Sequence, residues 1–330
     1  MWHQATQRTT CHDFLWNRTR AAMTGTLEGI LPAIASPCDD KGLFLEDAFA
    51  SLAERLYRQG VHGLYVGGST GDAHGMEPGD RKRAVEIAVE ISRNHNGRVI
   101  AHVGASERHD AVELAEHAAM AGSDAVSSLP PANHDHAQLL GYYDELSRAA
   151  QRPLILYYIP ILSGQRMTAG EMEALLDVNG VIGFKNSDWD LFTMSRVLRR
   201  RPDALFYNGN DEFLLPGLLY GARGGIGMNH NFFPRLFLGI YESVRRQDLQ
   251  HALELQRLFL AYADVFFKYG GIRPNFEALM RELNLAPNVW RGYRPVQDQG
   301  TDRRFLAEVM PKIQAIEDSV GEVTRGTMSD

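Results

Sequence analysis

The sequence predicts an α/β protein: a (β/α)8 TIM barrel with a helical extension at its C-terminal end. Three observations lead there. From Gly29 onward short apolar runs alternate with longer segments of helical period, eight of each can be counted, and the runs are continuous in Val, Ile, Leu and Ala. Unbroken apolar strands suit a parallel sheet covered on both faces, and eight strand–helix units make a closed barrel. An open doubly wound sheet is the alternative, but it seldom uses eight such evenly spaced units.

The strand candidates are residues 30–35, 63–66, 98–103, 124–128, 154–157, 181–185, 205–207 and 224–227. Between and after them, residues 45–59, 77–94, 109–121, 137–149, 169–176, 189–199, 212–220 and 233–246 read as helices. Gly60, Gly122 and Gly221 stand where a left-handed residue would end a helix. Beyond Arg246 the alternation stops, and residues 250–267, 273–282 and 303–318 read as further helices punctuated by Pro274, Pro287 and Pro295. No linker rich in Gly or Ser precedes them. Residues 247–330 are therefore expected to pack on a barrel formed by residues 26–246. Residues 1–25 mix His, Arg, Thr and isolated aromatics without period and are expected to form an N-terminal arm.

Composition narrows the function. With 44% apolar and 23% charged residues the chain can bury a large core, and a net charge of −7 gives no sign of a nucleic-acid or anionic-membrane partner. Cys11 and Cys38 make neither a disulfide framework nor a metal knuckle, which fits a reducing compartment. The first 22 residues hold no apolar stretch of signal-peptide length, and no window approaches a membrane span. The expectation is a cytoplasmic protein.

Barrel enzymes carry their chemistry where strands exit into loops. Lys185 closes the sixth apolar run, so its amine is expected in the barrel mouth. Burial disfavours the ammonium, and a nucleophilic lysine needs the free amine. The competing fate is a lysine that snorkels to solvent. The loop Gly67-Gly68-Ser69-Thr70-Gly71 offers N–H groups and two hydroxyls to a small carboxylate, though it also reads as an ordinary glycine-rich turn. It lacks the spacing and lysine of a phosphate-binding loop. Tyr157, at the fifth exit, could move protons or simply be a satisfied core tyrosine. His134-Asp135-His136 has the look of a metal pair but no further ligands at recognisable spacing, so no metal site is expected. The Arg199–Arg201 run reads as a solvated helix end.

GLYVGGSTGD, YYIP and GFKNS at three strand exits together resemble the pyruvate-dependent lyase family that contains dihydrodipicolinate synthase and N-acetylneuraminate lyase. The resemblance runs from about Thr26 to about Leu285. It implies that Lys185 forms a Schiff base with a 2-oxo acid and that Tyr157 moves protons between imine, enamine and aldehyde oxygen. Ser69 and Thr70 would hold the pyruvate carboxylate. It further implies that no cofactor is needed beyond the covalent imine, and that the enzyme is a homotetramer or homodimer acting on a small 2-oxo acid.

Within that family the chain leans toward the sialic acid lyase through GLYVGGSTG, Leu162-Ser163-Gly164 and YNGNDE. By that likeness Gly209, Asp211 and Glu212 would bind sugar hydroxyls and Ser187 would also touch the substrate, while the acidic pair could instead cap the helix that starts there. Asp72 stands where the family has a glutamate, Ser187 where threonine is common, and Met228 where the lyase has a serine, placing an apolar wall in the distal pocket. The expected activity is carbon–carbon cleavage or formation between pyruvate and an aldehyde, most naturally sugar-derived. A 2-keto-3-deoxy-sugar-acid aldolase or dehydratase shares the same lysine. A non-catalytic 2-oxo acid sensor is the reading from another class, and it needs neither Lys185 nor Tyr157.

Dihydrodipicolinate synthesis fits poorly. The synthase usually binds its second substrate's carboxylate with an arginine where this chain has Leu162, and it lends a tyrosine across its dimer from a loop that here reads Pro130-Pro131-Ala132-Asn133. Losing a charge-assisted contact to a buried partner costs about 2–5 kcal/mol, a rate loss of roughly 30-fold to several-thousand-fold. Condensation of pyruvate with aspartate semialdehyde is thus expected to be slow. A turnover rivalling that of the best sugar-acid substrate would overturn this reading.

Overall fold

The computed structural model describes residues 27–131, 135–269, 271–292 and 299–326. The arm expected over residues 1–25 lies outside the described residues, as do Ala132, Asn133 and His134. Eight parallel strands form one sheet: β1 (Gly29–Ile30), β2 (Gly63–Val66), β3 (Arg98–His102), β4 (Ala125–Ser128), β5 (Leu154–Tyr158), β6 (Val181–Asn186), β7 (Leu205–Asn208) and β8 (Gly224–Gly225). From β2 to β8 each strand pairs with the next in chain order, and β8 pairs with β1. The barrel is completed between the first two strands by a parallel bridge from Ala33 to Tyr65.

The first strand is shorter than the 30–35 run because Pro32 has no N–H to give. The extended chain nevertheless stitches both neighbours: Leu31 N and Ala33 N donate to Gly225 and Gly227, while Ile34 N donates to Tyr65 and Tyr65 N to Pro32. Asn231, fully buried, finishes this seam. Its Oδ1 accepts from Ala35 N at 3.1 Å, and its Nδ2 donates to the carbonyls of Ala33 and Met228 at 2.8 Å each.

The helices follow the expected spacing: α1 (Glu46–Arg58), α2 (Pro78–Asn94), α3 (Arg108–Ala121), α4 (His136–Ala150), a single turn α5 (Pro160–Ser163), α6 (Ala169–Leu176), α7 (Leu191–Arg200), α8 (Leu214–Leu219) and α9 (Pro234–Arg245). Local chemistry starts and stops them. Asp135 with Gln138, and Thr168 with Glu171, form reciprocal capping boxes on α4 and α6. Gly122 ends α3 at φ +98°. The segment expected as one helix over 212–220 begins instead as a 3-10 turn, Asp211–Phe213.

Two hydrophobic layers result. Leu31, Ala33, Tyr65, Ile100, Ile155, Ile182 and Tyr207 belong to the cluster that fills the barrel. Leu64, Val66, Val99, Leu156, Phe184 and Phe206 belong to the larger cluster shared with the helices. β6 departs from simple alternation. Leu154 pairs with Val181 but Ile155 pairs with Gly183, so β6 carries one extra residue against β5.

After α9 come α10 (Leu249–Lys268), α11 (Ile272–Glu282) and α12 (Gln299–Gly326). Phe305, Val309, Ile313 and Ile316 of α12 share the helix–sheet core with Phe259 and Phe266 of α10. Between α11 and α12, Glu277 accepts from the N–H groups of Val289 and Trp290, both at 3.0 Å, and so fixes a segment that reaches back to the barrel mouth.

Replacing Asn231 by alanine should leave buried groups on β1 and on the β8 exit without partners. At about 1–3 kcal/mol per unsatisfied group, partly relieved by relaxation, a loss of about 2–4 kcal/mol is expected in urea unfolding. A change below about 0.5 kcal/mol would show that the seam does not depend on this side chain.

Candidate active site

Lys185 is 4% exposed, and its Nζ lies 4.0 Å from the ring centroid of Tyr157 and 4.4 Å from that of Tyr65. Its direction is a consequence of the extra residue in β6. Ile182 faces the interior, so strict alternation would turn Phe184 inward and Lys185 outward. The register shift reverses the parity: Phe184 stacks on Phe206 in the outer layer at 5.2 Å, and Lys185 enters the barrel. The pivot must be glycine, because a Cβ on Gly183 would overlap the carbonyl oxygen of Leu205.

The two tyrosines are not equivalent. The hydroxyl of Tyr65 shares a hydrogen bond with Ser127 Oγ at 3.0 Å, and burial, with the neighbouring Tyr157, pushes it well above the ordinary phenol range. That of Tyr157 makes no hydrogen bond among the described residues. Its ring meets those of Tyr65 and His102 edge-on, at 6.2 and 6.1 Å. His102 is buried beneath them, with Nε2 accepting from Leu129 N at 3.1 Å. Burial and then the charges of Arg81 and Lys185 hold it well below the ordinary histidine value. Arg81 in turn donates to the carbonyls of His102 and Gly104, at 2.8 and 3.0 Å, tying α2 to the β3 exit; burial lowers it to about 10.

The loop after β2 folds back over the same tyrosine. A Cβ on Gly68 would sit 2.6 Å from the Tyr65 ring, so this backbone can approach only as glycine. Ser69 and Thr70 follow directly in the same loop, and Thr70 is buried. The loop is held from outside: Trp290 Nε1 donates to Ser69 O at 3.3 Å, and Arg291 N donates to the Asp72 carboxylate at 2.8 Å. Asp72 itself has φ +57°, a strained position that its bond to Arg291 fixes.

The remaining candidates surround the exits of β6 and β7. Gly209 allows close contact with Ser187, since a Cβ there would overlap the Ser187 hydroxyl. Ser187 and Glu212 both line a cavity of about 620 Å³, together with Asn210, Asp188 and Arg166. The last two form an ion pair of 3.1 Å. Lys185 does not line that cavity, which begins two residues beyond it. Asp211 is turned away. Its Oδ2 accepts from Asn229 N and Nδ2 at 2.8 Å each, and Oδ1 lies 3.3 Å from His230 Nε2. Burial alone would raise its carboxyl, but His230 and the Asn229 donors hold it below the ordinary value. It thus ties the β7 exit to the β8 exit. Met228, read above as an apolar wall, is half-buried against the core and does not line the cavity.

Other sequence candidates have local explanations. Asp135 caps α4, and Arg200 and Arg201 pair with Glu173 of α6 and with Asp177 just after it, at 3.1 and 2.7 Å. No sequence signal singled out Tyr65 or Trp189 as site residues. Tyr65 was legible in principle, because it alternates with Leu64 and Val66, which face the helix layer.

An eight-stranded barrel with a buried lysine ending β6 between tyrosine faces has the form of an imine-forming carbon–carbon lyase. The chain belongs to the dihydrodipicolinate synthetase family, whose pattern matches residues 26–301, and it is a class I pyruvate aldolase. It is 33% identical over 299 residues to the N-acetylneuraminate lyase of Escherichia coli strain SE11, covering 89% of this chain and 98% of that one. The N-acetylneuraminate lyase of Fusobacterium nucleatum superposes with a TM-score of 0.81 at 26% identity, covering 88% of this chain and 99% of the other. The sialic acid aldolase of Ruminococcus gnavus gives 0.81 at 25%, covering 90% and 99%.

Glu212 supplies a pH test. Burial, and then the charge of Asp211, raise its carboxyl from 4.5 to about 7. The folded protein therefore keeps a proton that the unfolded chain gives up, so the associated stability is present below about pH 4.5 and is lost as pH rises through 7. Compared with Glu212→Gln, the wild type should lose melting temperature across this window and level off above it. Parallel profiles would show that Glu212 titrates normally.

Proposed function

We propose that this protein cleaves a 4-hydroxy-2-oxo acid, with a sugar-derived aldehyde half, into pyruvate and an aldehyde, through a Schiff base on Lys185. The Lys185 amine adds to the C2 carbonyl and water leaves, giving an iminium ion. Removal of the C4 hydroxyl proton breaks the C3–C4 bond, and its electron pair passes into the iminium to form an enamine as the aldehyde departs. Protonation at C3 and hydrolysis by water then release pyruvate and restore the amine. The reverse sequence condenses the two halves.

The single observation that carries this reading is the placement of Lys185 Nζ 4.0 Å from the Tyr157 ring, inside an apolar, aromatic layer with no carboxylate paired to it among the described residues. A phenol hydroxyl beside the amine can take the C4 proton and return it. Ser69 and Thr70 hold the 2-oxo acid carboxylate, with N–H groups of the loop as additional donors. Ser187 and Glu212 face the aldehyde half, and Gly209 makes room for Ser187. Asp211 acts at one remove, by positioning the β7 and β8 exits. The chemistry is complete with these side chains and the covalent imine. The sugar-derived half is supported by the likeness to N-acetylneuraminate lyases, and a synthase reading is disfavoured by Leu162 where the synthase usually has an arginine.

Pyruvate with borohydride should modify the protein irreversibly at Lys185, located by peptide mass spectrometry. Lys185→Ala should abolish the adduct. Tyr157→Phe should retain it while slowing cleavage about 10²- to 10⁴-fold, the range expected for a lost general acid–base. An adduct on another lysine, or none, would overturn the assignment.

A further inference from the structure

The cavity beside the proposed site has an unusual lining for an enzyme that handles only polyols. Trp189, Phe213, Phe267, Ile161 and Ile272 are among its lining residues, and Trp189 and Phe213 stand nearly parallel, at 17° and 6.5 Å between ring centroids. Trp189 is 68% exposed, Ile161 81% and Phe267 49%, so these large apolar groups lie open to solvent among the described residues. Apolar surface of this extent, contiguous and concave, usually meets an apolar partner.

The charged groups do not alter this character. Arg166 and Asp188 neutralise each other at 3.1 Å, and Tyr158 Oη donates to the same Asp188 carboxylate at 3.3 Å. The cavity's polar lining includes Ser187, Asn210 and Glu212, which follow the exits of β6 and β7. The cavity thus combines polar groups from the strand exits with large apolar groups from the segments around them. Its volume of about 620 Å³ falls within the range of small-molecule sites, roughly 300–1,000 Å³.

We propose that the aldehyde half of the substrate carries an apolar, aromatic-sized substituent at the end remote from the pyruvate carbons, seated against Trp189 and Phe213. This rests on the Schiff-base reading above and specifies the substrate class of that same site. Hydroxyls near the cleaved bond meet Ser187 and Glu212, and the distal group displaces water from the aromatic wall. A site of this kind has few donors for a terminal polyol chain, which would leave its hydroxyls partly unpaired on leaving water.

The test compares two 2-hydroxy aldehydes that differ only in their tails, erythrose and 2-hydroxy-3-phenylpropanal, in condensation with pyruvate followed by pyruvate consumption. The aryl tail should give a kcat/KM higher by roughly 10- to 100-fold, the range that one buried apolar group supports. Trp189→Ala should raise KM for the phenyl compound at least about tenfold and reduce the preference, whereas Trp189→Phe should keep most of it. A preference for erythrose overturns the proposal, as does a Trp189→Ala variant that keeps the full phenyl preference. So does a Trp189→Ala variant whose main effect is to dissociate an oligomer in sedimentation, since the wall would then belong to a subunit contact. Borohydride trapping with pyruvate alone separates the two readings: trapping at Lys185 without aryl preference sinks only this inference, and absence of trapping sinks the Schiff base.

Discussion

The one extra residue in β6 is the constraint on which the site depends. A strand alternates its side chains strictly, so one position of slip exchanges the two faces. Here Ile182 and Lys185, three apart, both serve the interior, which alternation forbids and the shift opposite Ile155 permits. Gly183 absorbs the irregularity because it brings no Cβ against Leu205. The phenylalanine between them is free to complete the outer core beside Phe206. Without the shift, Lys185 would point into the helix layer, where a charged amine has no partner and no access to substrate.

Inside the mouth, the amine meets ring faces and not a carboxylate. An ammonium over an aromatic face is attracted by the ring quadrupole, but more weakly than by a buried anion. The arrangement orients Lys185 without locking it into a permanent ion pair. The next layer is built with the same economy of charge. Arg81 spends its guanidinium on two backbone carbonyls, which fix the β3 exit, and His102 accepts an N–H and stays neutral among Arg81 and Lys185. Two rings and a short hydrogen-bonded frame thus surround the Lys185 nitrogen.

Loops at the mouth owe their shape to partners remote in sequence. The Ser69–Asp72 turn is held by Trp290 and Arg291, which are themselves fixed through Glu277 of α11. The segment between the helices after the barrel therefore holds the loop that follows β2. Asp211 shows the same logic on the other side of the mouth: a carboxylate that sequence alone places among sugar ligands is consumed by Asn229 and His230, and its neighbour Glu212 is left to face the cavity and bears the electrostatic cost.

Length, periodicity and punctuation determined a good deal. Continuous apolar runs identified eight parallel strands, the 3.6-residue spacing identified the helices, and glycines such as Gly122 marked where helices end, because these signals are local and each residue's preference shows in its own neighbourhood. The joint motifs ending in Ser69-Thr70, Tyr157 and Lys185 identified the family, since three short patterns at three strand exits rarely coincide by chance. Tertiary structure alone decided the rest. Which face Lys185 occupies depends on a register between two strands, and no single strand encodes it. Whether Asp211 or Glu212 meets a ligand depends on Asn229 and His230 arriving from the next strand exit. The aromatic wall of Trp189, Phe213 and Phe267 comes from three separated segments, each of which reads by itself as an ordinary amphipathic turn or helix. A side chain's chemistry is fixed by its type, but its partners are set by which distant segments the closed barrel brings to one rim.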